Sequence, residues 1–174
     1  MTRRPGERKA PRAVRCEEER ADMDENASDA LKLENQLCFP LYAASRRVVS
    51  MYTPYLKDLG LTYTQYLVFL VLWDADGVTV GEVCRRLYLD SGTLTPLLKN
   101  LEKAGWVIRK RSKEDERVVL VSLTEAGKAL KDRLGDIPRC VGDVLPISRE
   151  DARTLYGLLY KLLEPAKGDS LSQL

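Results

Sequence analysis

Hydrophobic positions recur at helical spacing through the first part of the chain. One series, Leu33, Leu37 and Leu41, has four-residue steps, and a second, Val48, Tyr52, Leu56 and Leu59, has three- and four-residue steps. This pattern predicts two helices between residues 31 and 59. Pro40 is expected to interrupt the first of them, because a proline inside a helix removes a backbone hydrogen bond, unless a frayed first turn absorbs it. The predicted irregularity lies directly beside Cys38.

Three further helices are predicted by capping residues that precede apolar stripes. Thr62 or Thr64 starts a strongly apolar helix, which is typical of the centre of a core. A short helix follows Thr79, and after a tight connection a longer helix opens at Asp90 and closes at Gly105. The pattern therefore predicts a core helix followed by a helix-turn-helix.

The next segment changes to the period and composition of β-strands. Residues 106–111 and 118–123 contain valines, and a charged loop separates them, so they predict a β-hairpin. Thr124 begins a helix that runs toward Cys140, and Ser148 caps a last amphipathic helix. Helix, tight connection, helix and hairpin is the order of a winged helix-turn-helix. The predicted fold class is mainly α with a small β-hairpin wing.

Composition indicates one folded body between two tails. The chain has 174 residues and is 44% hydrophobic, enough for a single core. Residues 1–30 are basic and then acidic with few aliphatic side chains, which predicts a disordered tail, and 165–174 form a second tail. The folded body, 31–164, is expected to comprise a winged-helix module (about 78–123) and dimerisation helices (about 31–59 and 124–163).

Charge and residue content exclude several classes of function. The net charge of +2 is small, but residues 78–123 contain nine Lys or Arg against six Asp or Glu, so the positive excess lies on the predicted module. The chain has no histidine, and its four cysteines form no CxxC pair, so neither a metal nor a cofactor is expected. No apolar run is long enough for a membrane helix, and we expect a cytoplasmic protein.

The module predicts a surface for double-stranded DNA. Short hydroxyls at a helix N-terminus suit the major groove, and guanidinium groups on a hairpin suit the narrow minor groove. The candidate contacts are Ser91, Thr93, Thr95 and Lys99 on the helix and Arg109, Arg111, Lys113 and Arg117 on the wing. In the alternative interpretation the hairpin acids simply pair with these bases. One module has a modest charge, so a homodimer on a palindromic operator is expected.

Four sequence blocks resemble a known family. Asp115, Glu116 and Arg117, followed by Thr124 to Gly127, resemble the wing signature of the MarR family. LENQLCFPLYAASR, LTYTQYLVFLVLW and LYLDSGTLTPLL are similar to the organic hydroperoxide resistance regulators within that family. The resemblance covers about residues 31–164. It implies a repressor whose effector is an organic hydroperoxide, sensed through one cysteine of the first helix.

On this resemblance the sensing thiol is Cys38. Its thiolate is expected to be supported by hydroxyl groups of Tyr52, Tyr63 and Tyr42, and Asp90 and Asp115 are expected to support the wing, with Asp90 facing Arg117. The resemblance also implies Cys140 as a resolving thiol that forms an intersubunit disulfide with Cys38. A mixed disulfide with a small thiol remains an alternative. Cys84 is interpreted as a packing residue and Cys16 as incidental.

The chemistry of sulfur agrees with this role. A thiolate attacks a peroxide to give a sulfenic acid, which condenses with a second thiol to a disulfide. Two other functions compete. In a thiol peroxidase Cys38 would turn over, but the chain lacks the alternating βα pattern of such enzymes. In a regulator that binds a small aromatic ligand, Cys38 would be inert.

Overall fold

The computed structural model describes residues 31–164, which form eight α-helices and three short strands. The predicted tails, 1–30 and 165–174, lie outside the described residues. Within the described part, no helix has the length and apolar character needed to cross a membrane. The chain divides into two units whose boundary, after Arg46, falls inside the first helix.

The helices and strands follow the predicted order. The helices are α1 Cys38–Ser50, α2 Thr53–Leu56, α3 Tyr63–Asp74, α4 Val80–Leu87, α5 Ser91–Lys103, α6 Glu125–Leu134, α7 Ile137–Asp143 and α8 Arg149–Leu163. The strands are β1 Val78–Thr79, β2 Val107–Arg111 and β3 Val119–Leu123. Single 3₁₀ turns cover Leu33–Asn35 and Lys57–Leu59.

The first unit contains the 3₁₀ turn and the start of α1, and there the predicted interruption at Pro40 is wrong. Pro40 is the third residue of α1, which runs on to Ser50. The first four backbone N–H groups of a helix have no acceptor inside the helix. A proline at this position therefore removes no helical hydrogen bond.

In the second unit, the predicted capping residues start the helices. Thr62 and Gln65 form a capping box at α3: the Thr62 Oγ1 accepts from the Gln65 N–H at 3.3 Å, and the Gln65 Oε1 accepts from the Thr62 N–H at 2.9 Å. A hydroxyl or carboxylate oxygen likewise caps four more helices, at Thr79, Asp90, Thr124 and Ser148. Gly105, with φ +79°, follows the end of α5 as expected.

The wing contains one strand more than the sequence predicts. The β2 and β3 hairpin is confirmed, with antiparallel register from Val107 opposite Leu123 to Arg111 opposite Val119. The additional strand β1 pairs with the other side of β3, giving the order β1-β3-β2. Two residues carry too little periodicity to predict a strand, and only the pairing with a distant segment defines it.

The helix that begins at Thr124 stops earlier than predicted. It ends at Leu134, and Cys140 lies on the separate helix α7. Pro138 has no N–H to donate to the Leu134 carbonyl four residues earlier, so a continuous helix is disfavoured here. That carbonyl instead accepts a hydrogen bond from the Tyr66 hydroxyl at 3.4 Å.

The core lies around α3, which buries side chains on most of its circumference. Its fully buried residues pack with others from α2, α4, α5, α6, α7 and the sheet, including Leu56, Val83, Leu94, Leu98, Leu101, Val107, Val121, Leu130 and Val141. The Trp73 indole N–H donates to the Gly127 carbonyl of α6 at 3.1 Å. A Cβ on Gly127 would collide with the Trp106 carbonyl oxygen, so only glycine allows this approach. These contacts lock α6 against the winged-helix module.

Candidate nucleic-acid interface and thiol site

The N-terminus of α5 is fixed by Asp90. Its carboxylate accepts from the Thr93 backbone N–H at 2.8 Å and from the Thr93 hydroxyl at 2.6 Å. The two hydrogen bonds from Thr93 hold the pKa of Asp90 below its ordinary value, with the hydroxyl contributing most. The carboxylate is therefore charged at neutral pH and caps the helix in its ionised form.

Two hydroxyl groups of α5, those of Thr93 and Thr95, donate their protons within the chain and keep lone pairs free to accept. The Thr93 hydroxyl donates to Asp90, and the Thr95 hydroxyl donates to the Ser91 carbonyl at 2.6 Å. Each oxygen can still accept a hydrogen bond from an amino group on a base edge. Ser91, Thr93 and Lys99 are exposed, and Thr95 is half-buried. The predicted contact residues of α5 thus lie at an accessible surface.

Arg109 is engaged with α5 and is not free on the wing. Its Nη2 and Nε donate to Glu102 Oε2 at 2.6 and 3.0 Å, and its backbone N–H donates to Glu102 Oε1 at 3.1 Å. The Arg109 guanidinium lowers the pKa of Glu102 mainly through this side-chain hydrogen bond. The pair ties β2 to the helix beside it. A DNA contact by Arg109 stays a prediction, and it would compete with Glu102.

The tip of the wing is held by backbone hydrogen bonds. The Asp115 Oδ1 accepts from the Arg117 N–H at 2.9 Å, and the Arg111 Nη1 donates to the Glu116 carbonyl at 2.7 Å. Lys113 and Arg117 have exposed side chains, and none of the ion pairs found within residues 31–164 includes either of them. The loop is shaped by Asp115, while these two cations face solvent.

The structure does not bring Asp90 and Arg117 together. Among the described residues no ion pair joins the two side chains, and the Asp90 carboxylate caps α5 instead. The mutual support that the resemblance implies is therefore absent from this free chain. Asp115 orders the wing loop through hydrogen bonds to the backbone and not through an ion pair. Its carboxylate accepts from the Arg117 N–H, and its carbonyl accepts from the Val118 N–H.

The three described cysteines occupy different surroundings. Cys38 is the first residue of α1 and is exposed, whereas Cys84 and Cys140 are half-buried. Burial, together with the charge of Asp90, raises the pKa of Cys84, which keeps this thiol protonated. Cys84 packs against the core, in keeping with its interpretation as a packing residue. Of the three described thiols, Cys38 is the accessible one.

Tyr52 and Tyr63, predicted as thiolate supports, lie together in the second unit. Their ring centroids are 4.8 Å apart, and Tyr66 lies 5.8 and 6.5 Å from them. Burial raises the pKa of all three hydroxyls, that of Tyr66 to about 12, so they remain protonated donors at neutral pH. Tyr66 was not predicted. Its position three residues after Tyr63 on one helix face is the signal that indicates it.

Tyr42, the third predicted support, has a partner on its own helix. The Arg46 Nη1 donates to the Tyr42 hydroxyl at 3.0 Å, and the guanidinium carbon lies 5.4 Å from the ring centroid. Both contacts belong to the first unit, and both side chains are exposed. Sequence reasoning missed Arg46, although the spacing of four residues on a helix brings such pairs into contact.

Comparisons with known proteins agree with the geometry. The profile of the family described as transcriptional regulator SarA/Rot matches residues 50–134. The organic hydroperoxide resistance transcriptional regulator of Bacillus subtilis (strain 168) is 52% identical over 140 residues, which cover 80% of this chain and 95% of that protein. Such identity over nearly the whole relative assigns both fold and family.

Solved structures of one further protein are also similar. Reduced AbfR bound to DNA is 36% identical with a TM-score of 0.66, covering 79% of this chain and 95% of that one. AbfR is a protein of Staphylococcus epidermidis. Its disulfide form is 37% identical with a TM-score of 0.56, covering 79% and 96%. These relatives are DNA-binding regulators and not enzymes.

Proposed function

The chain belongs to the organic hydroperoxide resistance regulators of the MarR family, and we propose from this membership that it is a repressor switched by oxidation of Cys38. The chain is a winged-helix transcriptional regulator with redox sensing. In the proposed cycle the reduced protein binds a palindromic operator as a homodimer. An organic hydroperoxide oxidises Cys38, and the operator is released.

The observation that carries the proposal is the placement of Cys38. It is exposed at the first residue of α1, in a chain that is 52% identical over 140 residues to a hydroperoxide regulator. The thiolate attacks the terminal oxygen of ROOH, the O–O bond breaks, and ROH leaves after taking a proton. The sulfur becomes a sulfenic acid. Cys140 of the second copy attacks this sulfur and expels water, and an intersubunit disulfide forms.

Protonated tyrosines support the proposed thiolate. The rings of Tyr52 and Tyr63 pack against each other in a tilted arrangement, and burial keeps their hydroxyls in the donor form. We propose that these hydroxyls, with that of Tyr42, donate to the sulfur of Cys38. A hydrogen bond to the charged form of an acid favours that form, so the donors take the place of the base that a histidine supplies elsewhere.

Exposed apolar side chains support the proposed homodimer. Helix α8 has fifteen residues and buries none of them within one chain. Leu155, Leu158 and Leu162 are 47, 53 and 63% exposed and recur at helical spacing. A stripe of this kind is stable in water when another apolar surface covers it. We propose that a second copy of this chain covers α8.

The test compares DNA binding before and after oxidation. The probe is a duplex enriched from random DNA by the reduced protein, and the oxidant is one equivalent of an organic hydroperoxide. Wild-type affinity should fall by about 100-fold, the upper range of allosteric coupling. The Cys38→Ser protein should bind equally well with or without oxidant. Cys140→Ser should lose the intersubunit crosslink on non-reducing electrophoresis.

Cys84→Ser is the matched control, because it removes a half-buried thiol from the same chain. It should respond to the oxidant as the wild type does. Release of DNA from oxidised Cys38→Ser would overturn the proposal and favour the regulator of a small aromatic ligand. A Cys140→Ser protein that still releases DNA once a small thiol is added would assign resolution to a mixed disulfide.

A further inference from the structure

The turn between α4 and α5 contains a backbone conformation that disfavours its residue. Tyr88 has φ +52°, and it is the one non-glycine residue with positive φ in the part of the chain that the structure describes. The other positive values belong to Gly60, Gly77 and Gly105. An L-residue in this region brings its Cβ too close to the backbone, and glycine avoids that cost. At Tyr88 the chain retains the side chain in spite of the strain.

The turn itself does not require a tyrosine. The N–H groups of Tyr88 and Leu89 both donate to the Cys84 carbonyl, which closes α4 with a left-handed cap. Leu89 then packs against the core, while Tyr88 is 61% exposed. Glycine would complete these backbone hydrogen bonds equally well. The ring of Tyr88 therefore serves something other than the fold of one chain.

The position of Tyr88 indicates what it contacts. It lies two residues before Asp90, the cap of the helix that carries the candidate major-groove contacts. When the N-terminus of such a helix enters the groove, the preceding turn lies at the rim, where the sugar-phosphate backbone runs. A tyrosine offers that backbone an apolar face for a sugar and a neutral O–H donor for a phosphate oxygen.

We propose that Tyr88 is a DNA-backbone contact, with its ring against a deoxyribose and its hydroxyl donating to a phosphate at the edge of the half-site. The inference rests on the DNA binding proposed above. Such a contact positions the protein without selecting a base, so it strengthens binding to any duplex. It also releases no counterion, because tyrosine is neutral, and it leaves the salt dependence of binding unchanged.

The experiment compares reduced wild type with Tyr88→Gly, Tyr88→Phe and Arg117→Ala on a mixed-sequence duplex of about 30 base pairs, which accommodates both half-sites. Tyr88→Gly should bind roughly tenfold more weakly at every salt concentration, as expected for a lost hydrogen bond to a charged group. Its melting temperature should rise by about 2 °C, because the strain is relieved. Tyr88→Phe should lose part of the DNA affinity, because it lacks the hydroxyl, and its melting temperature should not rise, because the strain remains.

The slope against salt separates this contact from a cationic one. Arg117→Ala should lower the slope of log K against log salt by about one, whereas the Tyr88 variants should keep the wild-type slope. If Tyr88→Gly binds DNA as tightly as the wild type while Arg117→Ala binds more weakly, Tyr88 is not a DNA contact. A Tyr88→Gly protein that sediments as a monomer would also overturn this role, by placing the ring at a subunit contact. A wild type that binds neither this duplex nor the one enriched from random DNA would refute the proposed function itself.

Discussion

Helices α5 and α8 have similar length but opposite surroundings. Three leucines of α5, Leu94, Leu98 and Leu101, are at most 1% exposed, and α8 buries no residue at all. Both helices carry an apolar stripe, so their patterns alone do not separate them. The difference teaches that the winged-helix module completes its core within one chain, whereas α8 leaves an apolar surface that we assign to a second copy.

Polar side chains show the same contrast. On the winged-helix module they are fixed by specific hydrogen bonds, as Asp90 is by Thr93 and Arg109 is by Glu102. On α8 the Ser148 hydroxyl caps the start of the helix. Further along, the exposed rings of Tyr156 and Tyr160 contact each other, with centroids 4.5 Å apart. The polar side chains of the module are therefore held by more specific hydrogen bonds than those of α8.

The largest expected effect comes from a charge placed on the exposed stripe of α8. Leu158→Glu should abolish the dimer, because a carboxylate inside an apolar interface is strongly disfavoured. Losing the second half-site contact should weaken operator binding by roughly a thousandfold. Sedimentation velocity and fluorescence anisotropy measure the two effects on one sample.

Lys161→Glu is the matched control, since it introduces the same side chain on the polar side of the same helix. It should remain dimeric and bind DNA within a few-fold of the wild type. A Leu158→Glu protein that is still dimeric would break the comparison, because α8 would then be exposed for another reason.

A pair of glycine substitutions should give effects of opposite sign in the two regions. Gly127→Ala drives a methyl group into the Trp106 carbonyl and should destabilise the protein by about 3 kcal/mol. Gly157→Ala on α8 meets no atom within 4 Å and should stabilise by about 0.5–1 kcal/mol, because alanine restricts the unfolded chain. Urea denaturation measures both. Equal destabilisation by the two variants would mean that α8 is packed as closely as the module.

The smallest expected effect concerns the ion pair between wing and helix. Glu102→Gln should cost below about 1 kcal/mol, since the Glu102 side chain is 37% exposed and solvent screens the pair. The pKa of Glu102 is lowered in the folded protein. The stability that its ionised carboxylate contributes is therefore fully present above the ordinary pKa of 4.5 and is lost as pH falls through the folded pKa. Stability curves of wild type and variant should therefore converge as pH falls below the folded pKa of Glu102. A constant difference across this range would exclude Glu102 as the titrating group.

Local features of the fold could be predicted from the sequence. The starts of α3, α5 and α6 follow from Thr62, Asp90 and Thr124, because a capping oxygen and its N–H partner are only three residues apart. The β2–β3 hairpin is likewise local. The family followed from longer blocks of sequence, beyond what periodicity gives. The sensing role of Cys38 rests on the same resemblance and stays a prediction.

Features that depend on distant partners could not be predicted. Strand β1 exists because Val78 pairs with Val121, and the Trp73 indole bonds to Gly127 more than fifty residues away. The engagement of Arg109 by Glu102 depends on how the hairpin folds back over α5. A positive charge on a predicted wing therefore indicates DNA, yet sequence alone does not reveal that a neighbouring carboxylate already binds it.

The close approach at Gly127 also gives the protein an optical reporter. The two tryptophans of the chain both meet α6 there, Trp73 through its indole and Trp106 through its carbonyl. Because the Trp73 indole is hydrogen-bonded to α6, its fluorescence emission reports on the joint between α6 and the winged-helix module. Unchanged emission during loss of DNA would identify reorientation of intact modules, and a shifted spectrum would identify a change inside each module.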